Sequence, residues 1–187
     1  MMKTRFLWLL LASLPVQAVE YNQTQLDKSS LTFAYKQMGV PMNGKFSKFA
    51  VAVKFDPDKS NSAQAQFDVD LSSIDTGYAE GNEEIAGQQW FNAKVYPAAK
   101  FISTGVKALG GNRYEAQGKL TLKGKTQEVS APFSFKQEGK NGLFDGAFVL
   151  KRLDYAIGEG PWADVSAVAN EIQIVFHIVA NAASVKK

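Results

Sequence analysis

The residues that could do chemistry in this chain are few and scattered. His177 is its single histidine, so a Ser-His-Asp arrangement would need it as the base, and a metal site would lean on carboxylates. It falls between Phe176 and Ile178, on the opposite parity from Ile172, Ile174, Phe176 and Ile178. That parity puts it on the wet face of a strand. Asp154 and Asp164 flank one loop and read as ordinary solvated carboxylates. Gly158-Glu159-Gly160 is too short and too acidic to cradle a phosphate. Arg152 ends an apolar run on inward parity, where it meets either an anionic group of a ligand or Asp154 as an ion pair. These residues make no catalytic set, metal site or cofactor motif, and the sequence reads as non-enzymatic.

The elements that would position any site are strands. Leu31, Phe33 and Tyr35 alternate with Ser30, Thr32 and Ala34, and Phe49, Val51, Val53 and Phe55 alternate with Ala50, Ala52 and Lys54. Ala65, Phe67, Val69 and Leu71 continue the device. After residue 98 it resumes with Ala99 and Phe101, then Tyr114, Ala116, Gly118, Leu120 and Leu122. Three more runs follow: Val129 to Phe135, Phe144 to Leu150, and Val168 to Ile178. Gly110-Gly111-Asn112, Gly124-Lys125 and Gly139 to Gly142 supply turns between them. About eight strands with one apolar face each, at short spacing, predict an all-β sandwich or barrel. An eight-stranded barrel is either filled by its own side chains or holds one small ligand. Small residues among the rings, such as Ala116, Gly118 and Ala131, are compatible with both.

One segment breaks the period. Between Ile74 and Trp90 the chain turns polar and small, and a short helix is expected near residues 82–88. Asn82 would cap it, Glu83 and Glu84 would sit in its first turn, and Gly87 would end it.

The start of the chain reads as an address. Met1 to Arg5 is positive, Phe6 to Leu14 is apolar, and Val16-Gln17-Ala18 fits a cleavage site, so residues 1–18 are expected to be a signal peptide cut after Ala18. The apolar run is about half a bilayer span. Residues 19–187 then form one domain, placed in the periplasm. Lys3 and Arg5 leave with the leader, so 19 basic residues face 18 acidic ones. With no basic block, nucleic acid is not an expected partner. The chain has no cysteine, and its length suffices for a core without disulfides.

Leu71-Ser72-Ser73-Ile74-Asp75-Thr76-Gly77, then Trp90-Phe91-Asn92 with Tyr96-Pro97-Ala98-Ala99-Lys100-Phe101, closely resembles the YceI-like family. Gly118-Lys119-Leu120-Thr121-Leu122-Lys123-Gly124-Lys125-Thr126 is similar to that family's Gly-x-Leu-Thr-hydrophobic-x-Gly-x-Thr signature. Asn43-Gly44-Lys45-Phe46 and Arg152-Leu153-Asp154-Tyr155-Ala156-Ile157-Gly158 resemble two further motifs. The resemblance covers nearly all of residues 19–187. It implies an extended, lipocalin-like antiparallel barrel, a periplasmic location, and binding of polyisoprenoid or related lipids in an apolar tunnel. Transient membrane contact and homodimers are further expectations. The chain departs from the family pattern at Gln37, where many members have histidine. It departs again at Glu80 to Ile85, where many carry Arg-Asp and then His-Leu. Head-group preference therefore does not carry over.

The expected function is non-catalytic binding and carriage of a lipophilic molecule: a polyisoprenoid, an isoprenoid quinone or a similar amphiphile. Phe33, Tyr35, Phe67, Phe101, Gly118, Leu120, Phe133 and Phe148 are the expected tunnel lining, with Trp90 and Phe91 closing one end and Arg152 as head-group candidate. No cofactor or metal is expected. Two other readings use the same barrel: stress-related sequestration of exogenous lipophiles, and a filled barrel that serves a membrane redox partner as an interaction module.

Overall fold

The computed structural model describes residues 19–183, so the expected leader and its cut after Ala18 lie outside the described residues. The described residues form eleven strands in one antiparallel sheet. They are β1 (Tyr21–Thr24), β2 (Ser30–Gln37), β3 (Val40–Phe46), β4 (Phe49–Lys54), β5 (Gln64–Asp70), β6 (Ile74–Asp75), β7 (Ala98–Gly110), β8 (Arg113–Leu122), β9 (Lys125–Glu138), β10 (Asn141–Lys151) and β11 (Glu171–Ala182). Eight of these are the runs read from alternation. The count rises because β1, β3 and β6 carry no such pattern. β3 holds Pro41, Asn43 and Gly44, and it pairs on its outer side only with the two residues of β6. A proline is tolerated on such an edge because no ladder bond is lost.

The spatial order is β4-β5-β7-β8-β9-β10-β11-β2-β3-β6, with β1 on β11. β1 curls this sheet towards closure at one end. Tyr21 N donates to Phe55 O (2.8 Å) and Phe55 N to Tyr21 O (3.1 Å), so β1 links β11 to the residue following β4. At the other end Ser47 N donates to Ser73 O (3.1 Å) and Lys48 N to Ser73 Oγ (3.0 Å), which ties the β3–β4 bend to the crossover.

Alternation becomes burial as the period of two requires. On β8, Tyr114, Ala116, Leu120 and Leu122 are buried while Arg113, Gln117 and Lys119 are exposed. The inward residues gather into two clusters. One surrounds Leu31, Phe33, Leu71, Trp90, Leu120 and Leu150 near the crossover. The other surrounds Tyr21, Phe55, Tyr114, Phe135, Phe144 and Ile178 at the β1 end.

The helix is α1 (Ala79–Ala86), three residues earlier than expected at its start. Tyr78 occupies the N-cap without a side-chain bond. Asn82 is not the cap. Its Oδ1 accepts from Thr76 N (2.8 Å) and Thr76 Oγ1 (2.7 Å), fastening the helix to the turn before it. Gly87 does end the helix, in extended conformation, with its N–H on Glu84 O (2.9 Å). Among the described residues no helix is long and apolar enough to cross a membrane.

Candidate functional site

Inside the curled sheet lies a cavity of about 240 Å³, running from the crossover cluster to the β1 cluster. Its walls are the inward faces of β2, β5, β7, β8, β9, β10 and β11, so the period of two that makes the strands also makes the wall. Phe33, Tyr35, Phe67, Phe101, Leu120, Phe133 and Phe148 all line it, as do Trp90 and Phe91 from the segment after α1. Phe46, Phe55, Phe176, Ile172 and Ile174 share the same parity and line it too. Tyr78 and Trp162 also reach it, but they sit in irregular segments where no period could announce them.

Gly118 is a correction. It is inward and buried, yet it lines no part of this cavity. A β-carbon there would stand 2.5 Å from both Ile102 O and Phe101 Cε2. The Phe101 ring therefore lies over bare backbone, and the space that the missing side chain leaves is already taken.

Arg152 is the second correction. Its side chain abuts the cavity at 1% exposure, but its donors are spent on backbone. Nε donates to Ala169 O (3.1 Å), Nη1 to Ile157 O (2.8 Å) and Gly158 O (3.2 Å), and Nη2 to Trp162 O (2.7 Å) and Val168 O (2.7 Å). Those five bonds match the five N–H groups of a guanidinium, and none is left for a ligand head group. No ion pair joins it to Asp154 among the described residues. Its charge is held by carbonyl dipoles and by the Trp90 ring, 5.4 Å from its carbon to the centroid. Burial lowers its pKa from the ordinary value. Arg152 is thus the pin of the 152–170 loop.

The remaining candidates have structural partners. Glu159 pairs with Lys123 (2.8 Å), whose buried ammonium also donates to Ala156 O (2.7 Å). The Lys123 ammonium holds the Glu159 carboxyl below its usual range. Asp164 accepts from Ser166 N (2.8 Å) and Ser166 Oγ (2.7 Å), which lowers its pKa. His177 lies outward and bonds Asp145 across β10 and β11. Among the described residues no three His, Asp or Glu groups gather closely enough to hold a metal ion.

The polar lining is sparse. Tyr35, Gln37, Tyr78 and Glu84 stand at the α1 end, and Gln64 stands at the start of β5. Burial first, and the neighbouring Tyr78 phenol second, push the Tyr35 phenol above its usual pKa. Tyr78 and Glu84 are exposed as well as cavity-lining, which makes the α1 end a mouth.

A curled antiparallel sheet around an apolar cavity, with Arg152 spent on backbone and Glu84 at the mouth, defines a lipocalin-like barrel. The chain belongs to the family of the YceI-like domain, whose model matches residues 22–180. A UPF0312 protein of Pseudomonas putida W619 is 30% identical over 139 residues, 71% of this chain and 72% of that one. The structure of BcnA from Burkholderia cenocepacia superposes with a TM-score of 0.83 at 44% identity, covering 85% of this chain and 100% of that chain. A polyisoprenoid binding domain from Saccharophagus degradans shares the fold at 15% identity, with a TM-score of 0.67 over 89% of this chain and 100% of that one.

Proposed function

We propose that this chain is a non-catalytic periplasmic protein that binds and carries an amphiphilic lipid, a polyisoprenoid or isoprenoid quinone, with the tail in the cavity and the head at the α1 end. The observation that carries this is the cavity itself. An apolar void of ~150 Å³ already stays dry and binds benzene, and this one is about 240 Å³ with aromatic and aliphatic walls. An apolar space of that size, walled by rings and aliphatic chains and open at one mouth, is one that an apolar occupant fills more favourably than water does. A filled barrel acting as an interaction module does not fit such a void.

Each buried CH₂ contributes about 0.8 kcal/mol relative to water, whereas a neutral hydrogen bond to a head contributes about 0.5–1.5 kcal/mol net. Affinity therefore rests on the tail and orientation on Gln37, Tyr35 and Tyr78. A membrane lipid's tail is already dry in its bilayer, so the net gain over the membrane is small, which suits reversible carriage. The domain name of the Saccharophagus degradans structure points the same way.

Native mass spectrometry of gently purified protein tests this, paired with titration of delipidated protein with NBD-labelled geranylgeraniol. One retained isoprenoid species and saturable probe uptake are expected. No retained lipid and no uptake would overturn the reading, and a broad mixture would indicate sequestration of assorted lipophiles.

A further inference from the structure

The β2–β3 hairpin breaks a local rule at the mouth. Gln37 pairs with Val40, so the loop is the two residues Met38-Gly39, both at positive φ (49° and 79°). That is the type I′ geometry, whose first position favours asparagine, aspartate or glycine. A bulky side chain is disfavoured in the left-handed region, where its β-carbon crowds the following carbonyl oxygen. Elsewhere this chain places Asn112 or Lys123 at positive φ in its hairpin turns, and Lys123 repays the conformation with its ion pair to Glu159. The Met38 side chain makes no such return inside the protein, because the residue is 78% exposed.

Its neighbours share the exposure. Val40 is 57% exposed on the same hairpin, and Val165 is 54% exposed in the loop that the hairpin touches, where Met38 N donates to Ala167 O (2.9 Å). The hairpin tip adjoins the cavity lining along the chain and across the strand pair. Gln37, beside Met38 in the chain and opposite Val40 in the sheet, is a lining residue, and so is Tyr78, itself 42% exposed. Three aliphatic side chains on a hairpin tip and one loop are far too small for a stable protein interface, which needs roughly 800 Å² per partner. They suit shallow insertion between lipid head groups, which needs no complementary surface.

The geometry points to Met38, Val40 and Val165 as a bilayer-docking tip that sets the cavity mouth against a membrane, so that a lipid passes from bilayer to barrel without crossing water. This rests on the lipid-binding reading and adds where and how loading occurs. An isoprenoid tail crossing water would expose every methylene to it at a cost in free energy, and contact between mouth and bilayer removes that barrier.

The test compares wild type with Met38→Asn and with Met38→Asn/Val40→Thr by flotation with vesicles of phosphatidylethanolamine and phosphatidylglycerol (three to one). The transfer rate of NBD-labelled geranylgeraniol from those vesicles is measured alongside uptake of the probe from detergent solution. Asparagine suits the left-handed position and threonine suits a strand, so both variants should melt no lower than wild type. Vesicle binding and transfer rate should fall by about tenfold, the loss of roughly one partly buried methionine, with uptake from detergent unchanged. Equal flotation of wild type and variants overturns the docking tip, as does absence of wild-type flotation. Loss of detergent uptake in the variants also overturns it, because the residues would then belong to the pocket. Failure of wild-type uptake from detergent instead sinks the lipid-binding reading itself.

Discussion

The ring of Phe101 lies across the bare backbone of Gly118, its partner strand's inward glycine, so closely that a β-carbon would stand 2.5 Å from Phe101 Cε2. The inward side of β8 thus has filled space at Gly118 and cavity at Ala116 and Leu120. Gly118→Leu should destabilise the delipidated protein by about 1–3 kcal/mol through overpacking. Ala131, which pairs with Ala116 across β8 and β9 and lines the cavity, should behave oppositely. Ala131→Leu fills void, so the delipidated protein should gain about 0.5–2 kcal/mol while probe uptake falls more than tenfold. Urea melts of both variants check the signs, and a stabilised Gly118→Leu would contradict the packing described.

Arg152 should prove irreplaceable by another cation. Lysine offers three donors in place of five and no planar fork, leaving at least two buried carbonyls unpaired. Arg152→Lys should cost about 2–5 kcal/mol and loosen the 152–170 loop. Where the variant still folds, its affinity for the NBD probe in detergent should match wild type, because no guanidinium hydrogen faces the ligand. A well-folded variant with affinity lost tenfold would return Arg152 to the head-group role.

The sequence reveals the wall of the site more fully than its ends. Alternation alone places Phe33, Phe67, Phe101, Leu120, Phe133 and Phe148 on one surface, because each strand shows a single face to the interior. That parity says which way Gly118 faces, but not that a neighbouring ring bends over it. A glycine leaves the same gap in a pattern whether a ligand or a phenyl ring occupies it. Arg152 was ambiguous for a related reason. Its partners are backbone carbonyls of Ile157, Gly158, Trp162, Val168 and Ala169, and every residue carries a carbonyl, so no side-chain type signals them. β3 was hidden by Pro41 and Gly44, residues that mark turns in most contexts and are admitted here by an edge. The exposed Met38 is legible only once the hairpin register shows it at positive φ.

His177 should be dispensable. Its bond to Asp145 joins two partly exposed side chains on the outer face of β10 and β11, and such pairs contribute about 0–1 kcal/mol. His177→Ala should shift stability within that range and leave probe uptake unchanged. A larger loss, or loss of binding, would reopen acid–base or metal chemistry at this position.

Tyr155 should set a limit on alkaline stability. Its ring is buried and its hydroxyl finds no hydrogen-bond partner among the described residues. Burial first, and the Asp154 charge second, push its pKa up to about 12, against about 10 in an unfolded chain. The folded state therefore holds this proton more tightly than the unfolded state. Its contribution is fully present below about pH 10 and is lost as the pH rises through about 12. Tyr21, Tyr35 and Tyr114 are raised by burial as well, so part of the alkaline loss belongs to them. Tyr155→Phe removes both the titration and an unpaired hydroxyl. At pH 7 it should leave stability unchanged or raise it by up to about 1 kcal/mol. Between pH 10 and 12 its stability should fall less steeply than that of wild type, read by urea midpoints at each pH. A destabilised phenylalanine variant at pH 7 would mean that the hydroxyl has a partner after all, and an unchanged alkaline slope would move the titration to the other tyrosines.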